Sequence, residues 1–256
     1  MKPLKMRHCL NHELFARLCL LVLVKMLVIL PVFLLPYICL KTIQREVKDK
    51  MKKALIVSGG WSGHKPKEIS EILAAYLREK EFEVEITTSL DTLLDEEKLM
   101  ELNLIVPNWT MGDITQEQLQ SLLNTIKSGV GLAGLHGGMG DAFRNAADYQ
   151  FMVGGQFVAH PGGDAVEYTV QVDPAHPVTK GMKDFTVKSE LYYMHVDPVI
   201  DVLAYTNTEQ VKMPVAWTKQ YGEGRVFYCA LGHSIDLVER PEMKKMMSQG
   251  MAWAAK

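Results

Sequence analysis

From Met51 onward, short apolar runs alternate with stretches of helical period, and this alternation constrains the fold more than any other feature of the chain. A strand that is apolar along its whole length has to be covered on both faces. Helices that link consecutive parallel strands provide that cover, so the pattern reads as an α/β, flavodoxin-like, mostly parallel sheet flanked by helices. Residues 54–57 form the first buried run, residues 82–87 the second, 102–106 the third and 130–135 the fourth. Between the first two, Pro66 suits a first helical turn, and Ile69, Ile72, Leu73, Tyr76 and Leu77 recur at the spacing of one helix face. Thr115 and Gln118 stand three apart as a capping box for a helix whose stripe is Leu119, Leu122, Leu123 and Ile126. Beyond residue 150 the texture becomes β-rich. Residues 164–172, 187–195 and 202–205 read as strands, and 214–219 and 224–231 as two arms of a hairpin. A closing helix near Pro241 carries Met243, Met246, Met247 and Trp253 as core filler.

Charge and cysteine divide the chain near residue 50. Residues 1–50 hold nine Lys or Arg against three acids, and the rest hold nineteen against twenty-seven, giving +6 and −8 for the net −2. An acidic body without a basic stripe lacks the footprint of nucleic-acid binding. Cys9, Cys19 and Cys39 precede the boundary and only Cys229 follows it, so the body has no disulfide framework and no C-x-x-C. Residues 18–40 are a 23-residue run of nine Leu, four Val, two Ile and one Phe, with Lys25 as the only charge. At about −0.3 to −0.6 kcal/mol for each such apolar residue against about +3 for a lysine, the run favours insertion as a transmembrane helix. The expected domains are therefore a 1–50 segment with this separate hydrophobic helix and a 51–256 body. Two readings stand: a membrane anchor holding a cytoplasmic body, or a soluble cytoplasmic protein translated from Met51, whose Lys-Lys-Ala-Leu-Ile-Val resembles an ordinary first strand.

In open α/β sheets, ligands bind outside the carboxyl ends of the strands. Trp61 and His64 follow the first strand, Asn108 and Trp109 the third, and His136 the fourth, while His233 follows the run Phe227 to Gly232. If that last run lies parallel to the others, three histidines meet at one edge. The turn Gly134-Leu-His136-Gly-Gly138 has the strand, glycine turn and helix of a nucleophile elbow with histidine at its apex, which suits acid/base work or metal ligation. The glycines at 59, 60 and 63 match neither dinucleotide nor P-loop spacing, so no nucleotide fingerprint is present. His160 follows a glycine pair. Glu190 and Tyr192 share one face of the 187–195 run and suit recognition of hydroxyl groups, whereas His195 lies on the other face. His176, in a proline-rich turn, reads as structural.

Leu135-His136-Gly137-Gly138, Gly154-Gly155-Gln156-Phe157 with His160-Pro161, Asp173-Pro174-Ala175-His176-Pro177, Glu190-Leu191-Tyr192, and the stretch from Pro214 through Tyr221-Gly222-Glu223-Gly224 to His233 together resemble the ThuA-like family, named for trehalose utilisation. The resemblance covers residues 52 to 255. It implies a domain like the class I glutamine amidotransferase-like fold and a role in carbohydrate metabolism on a trehalose-like disaccharide or oxidised sugar. It does not imply amidotransferase chemistry, because His136 stands where that fold has its elbow cysteine. The expected catalytic residues are His136 as general acid/base, His233 and His64 as a second proton-transfer group or ligand, and Glu190, which with Tyr192 meets sugar hydroxyls; the other expected substrate contacts are Trp61, Asn108, Trp109 and His160. A divalent metal on His64, His136, His233 and Glu190 is a variant of the same reading. The alternative is a sugar-binding or regulatory module without chemistry. The expected partner is a small carbohydrate, with homo-oligomerisation open and no nucleic acid.

Overall fold

The structure is a computed structural model that describes residues 51–256. The apolar run and possible transmembrane helix at 18–40 lie outside the described residues. Within them, no helix is long and apolar enough to cross a membrane.

Eleven strands form among the described residues: β1 Lys52–Gly60, β2 Phe82–Thr87, β3 Leu104–Thr110, β4 Gly131–Leu135, β5 Gly155–Ala159, β6 Val166–Val172, β7 Phe185–Ser189, β8 Tyr193–Val196, β9 Asp201–Asn207, β10 Lys212–Tyr221 and β11 Gly224–Cys229. The helices are α1 Pro66–Arg78, α2 Glu96–Met100, α3 Gln116–Lys127, α4 His136–Gly140, α5 Ala147–Val153, α6 Ile235–Val238 and α7 Pro241–Ala254. Nine strands make one sheet in the order β2-β1-β3-β4-β11-β10-β9-β6-β7, and β5 pairs with β8 apart from it. From β2 to β11 the neighbours are parallel, and from β11 to β7 they are antiparallel. The expected mostly parallel, helix-flanked sheet with β-rich additions is present.

Side chains of β1 alternate between two cores. Ala54 and Ile56 pack with Leu73, Leu77, Met243 and Met247 under α1 and α7, while Leu55 and Val57 pack with Leu119, Leu122 and Ile126 under α3. Every strand-one apolar residue is thereby removed from water, which is why this run is continuous rather than alternating. The capping box on α3 is formed in both directions: Gln118 N–H donates to Thr115 Oγ1 and Thr115 N–H donates to Gln118 Oε1. Cys229, at the end of β11, is fully buried among Met246 and its neighbours, and burial pushes its thiol up to about 12.

One expected element is corrected. Residues 187–195 are not a single strand: β7 ends at Ser189 in the large sheet and β8 begins at Tyr193 against β5. The three residues between, Glu190 to Tyr192, therefore belong to neither ladder, and the period-2 argument that separated them from His195 does not apply.

Candidate active site

The site lies at the carboxyl ends of β1, β3, β4 and β11, the position an open α/β sheet offers to ligands. Because β11 is parallel to β4, the turn after it delivers His233 to the same edge as His136. His136 opens α4 with φ of 46°, in the left-handed region that non-glycine residues seldom occupy. The glycines behind it are required by closeness. A Cβ at Gly137 would press on the His64 ring, and one at Gly138 would collide with the Asn108 side chain.

His64, His136, His233 and Glu190 converge so that one ligating atom from each lies within 4.8 Å of all the others. Glu190 Oε2 is 3.1 Å from His136 Nε2 and 3.4 Å from His233 Nδ1, and its Oε1 is 3.8 Å from His160 Nε2. His136 is buried, and Glu190 and His64 nearly so. The outer nitrogen of each inner ring is held from behind. His136 Nδ1 lies 2.8 Å from the carbonyl of Ala230, and His64 Nδ1 lies 2.9 Å from Thr110 Oγ1. Tyr192 stacks on His136 with centroids 4.1 Å apart and fixes its plane.

The His136 contact decides what the cluster can hold. A carbonyl only accepts, so Nδ1 carries the proton donated to Ala230, and the neutral ring presents a bare lone pair at Nε2. That lone pair faces a carboxylate oxygen. Neither His136 Nε2 nor His233 Nδ1 has a hydrogen-bond partner, although both are buried. Two acceptors 3.1 Å apart repel unless a positive centre lies between them. Protonation is a poor remedy, since burial, reinforced by His233, lowers the His136 pKa against the pull of Glu190 and Ala230. Burial and the neighbouring His136 and His233 likewise bring His64 down to about 3. Burial opposes ionisation of Glu190, but the neighbouring rings, His136 foremost, outweigh it and hold the carboxyl below its usual range. Imidazoles around a carboxylate, two of them disfavoured as cations, are the donor set of a divalent transition metal.

Of the residues expected at the site, the structure brings together His64, His136, His233 and Glu190, with His160, Tyr192 and Trp61 around them. Trp61 meets His64 edge to face at 4.7 Å and is half exposed. Asn108 borders the His136 turn without joining the cluster, and Trp109 lies on the other face of β3. The Asn108 amide donates to Pro66 O and Ser70 Oγ and thus pins the start of α1. Trp109 points to the opposite side of β3, where its ring covers Gly59 and Gly112. His176 accepts from Val178 N–H within its own turn. Sequence reasoning passed over Thr110, which backs His64 and sits one period-2 step beyond Asn108, a signal that was available. It also passed over Asp141 and Arg144, paired through two hydrogen bonds of 2.6 and 2.8 Å, with Arg144 over the Phe157 ring. Nothing local marks that pair.

Comparison with known proteins agrees with this architecture. Two ThuA-like proteins of known structure superpose well: one from Parabacteroides merdae at TM-score 0.65 and 19% identity over 80% of this chain and 90% of that one, and one from Bacteroides uniformis at 0.67 and 19% over 79% and 91%. A cytoplasmic protein from Salmonella typhimurium LT2 superposes at 0.58, with 15% identity over 80% of this chain and all of that one. At these identities the likeness concerns the fold. No curated protein matches the sequence. The family model for ThuA, trehalose utilisation, matches residues 53–254, and the chain belongs to that family.

Proposed function

We propose that the domain is a metal-dependent enzyme of carbohydrate metabolism acting on a trehalose-like disaccharide or an oxidised sugar. The observation that carries this reading is the unpartnered pair of buried ring nitrogens facing Glu190 Oε2. His64, His136, His233 and Glu190 would hold the ion, and because four protein donors are already present, a five- or six-coordinate ion such as manganese or expanded zinc leaves room for substrate. When bound, such an ion supplies Lewis acidity toward a sugar carbonyl or hydroxyl.

The chain's own groups divide the remaining work. Glu190 would neutralise part of the ion's charge. Ala230 and Thr110 orient His136 and His64, as outer contacts do in metal sites generally. His160, with its side chain 44% exposed and Nε2 3.8 Å from Glu190 Oε1, is the titratable group at the mouth and takes or gives a proton at Nε2. Trp61, at the rim, offers a flat face to the apolar side of a pyranose.

The test is elemental analysis of full-length protein purified without chelator or affinity nickel, followed by a conversion screen of trehalose, related disaccharides and their keto derivatives. We expect about one transition-metal ion per chain. His136→Gln should lose both metal and turnover while keeping its melting transition. A metal-free sample with full activity overturns the metal, and variants that alter sugar binding in a protein that converts nothing leave a binding module instead.

A further inference from the structure

A line of planar groups runs outward from the His–Glu cluster. Tyr192 stacks on His136 with centroids 4.1 Å apart, Phe157 meets Tyr192 at 4.4 Å, and the Arg144 guanidinium lies 5.6 Å from the Phe157 centroid. Phe157 also stacks on His160, at 5.9 Å, so Arg144 shares its aromatic neighbour with the titratable group at the mouth. We propose that Arg144 is a specificity-determining residue of this site, whose free N–H groups receive an anionic group of the substrate, a carboxylate or a phosphate. This inference rests on the proposed function and adds the charge of the substrate and the residue that reads it.

The guanidinium is held in place without being used up. Its Nε and Nη2 donate to the two carboxylate oxygens of Asp141, which fixes its plane and leaves three of the five N–H groups without a partner among the described residues. The Arg144 side chain is 50% exposed and that of Asp141 only 4%. A ligand therefore meets the donors of the pair and not its acceptors. Carboxylate and phosphate oxygens only accept, and their bonds from a guanidinium are about twice as strong as those between neutral groups. The backbone is strained to hold this position. Phe143, one residue earlier, is buried with φ of 49°, and Met111, just beyond β3 with φ of 59°, clamps the segment by donating to the Asp141 carbonyl and accepting from Phe143 N–H. Such conformations persist only where the surroundings enforce them, and they gather at ligand sites. A surface ion pair needs neither this strain nor an aromatic line back to His136.

The experiment is calorimetric titration of the full chain, loaded with manganese, with glucuronate, glucose 6-phosphate and glucose in turn, repeated on Arg144→Gln and Arg144→Lys. At least one of the two anions should bind about tenfold to hundredfold more tightly than glucose, the range for hydrogen bonds to a charged group, and the anion preferred identifies the group. Arg144→Gln should abolish that preference while leaving glucose affinity unchanged. Arg144→Lys keeps a cation for Asp141 if the glutamine variant fails to fold, and should lose most of the preference for want of the planar fork. No preference for either anion, or a preference that survives in both variants, overturns the role of Arg144 and leaves the metal-dependent function standing. A metal-loaded protein that binds none of the three sugars, nor trehalose, overturns the proposed function itself, and the inference with it.

Discussion

The parallel and antiparallel halves of the sheet contribute different things to the site. From the ends of β1, β4 and β11, the parallel half supplies three imidazoles, each on a short turn that leaves a strand and each close to backbone or to another ring. The antiparallel half, together with the separate β5–β8 pair, supplies the charge and the more exposed groups: Glu190 from the break between β7 and β8, and His160 after β5. Imidazole donors held by a rigid edge and a carboxylate held by an irregular segment make a division of labour. The first half fixes geometry, and the second sets the charge. A parallel sheet buried on both faces has little freedom at its strand ends, whereas residues 190–192 belong to no ladder and are placed by side-chain contacts.

The sharpest way to break this comparison is Glu190→Gln. It keeps an oxygen near the three rings but removes the only carboxylate of the cluster. Metal affinity, measured by competition with a chromogenic chelator, should fall by more than about 100-fold, beyond the 10- to 100-fold typical of outer contacts. Unchanged affinity would mean that the antiparallel half contributes no charge to the centre. Thr110→Val tests the other side. Valine fills nearly the same space but cannot hydrogen-bond His64 Nδ1. Metal affinity should drop by about 10- to 100-fold, with a fall of roughly 2–4 °C in melting temperature for the buried hydrogen bond lost, and a variant that holds metal as tightly as the parent would show that His64 is positioned by packing alone.

The same division explains what could be read from the sequence. In the parallel half the signals are local: continuous apolar runs, glycine turns and a capping box. The turn at His136 and the positions of His64 and His233 followed from them, with one condition, that β11 join β4 in parallel. In the antiparallel half the run from Val187 to His195 contains no glycine or proline, and nothing in it marks the break after Ser189. That break arises from tertiary contacts, in which Tyr192 stacks on His136 and β8 finds β5. Helix α5 and strand β5 are too short to show a period. Trp109 illustrates the opposite error. An aromatic residue at a strand end suggests a ligand contact, yet Asn108 and Thr110 take the site side of β3, so alternation alone assigns Trp109 to the other face.

A smaller effect sharpens how the irregular segment is held. Tyr168 on β6 donates from its hydroxyl to the Glu190 backbone carbonyl at 2.8 Å, and the bond is buried. Burial keeps that phenol protonated far above neutrality, so it remains a donor at any working pH. Tyr168→Phe removes the donor, keeps the ring and leaves one buried carbonyl short of a partner, which costs about 1 kcal/mol. For a body of this size that is a fall of roughly 2–4 °C in melting temperature. Glu190 retains its contacts with the three imidazoles, so metal affinity should change only a few-fold, well below the effect of Thr110→Val. A loss as large as that of Glu190→Gln would show that the carboxylate is aimed from its backbone. In that case the rigidity assigned to the parallel edge extends across the sheet through Tyr168, and the two halves position the centre jointly.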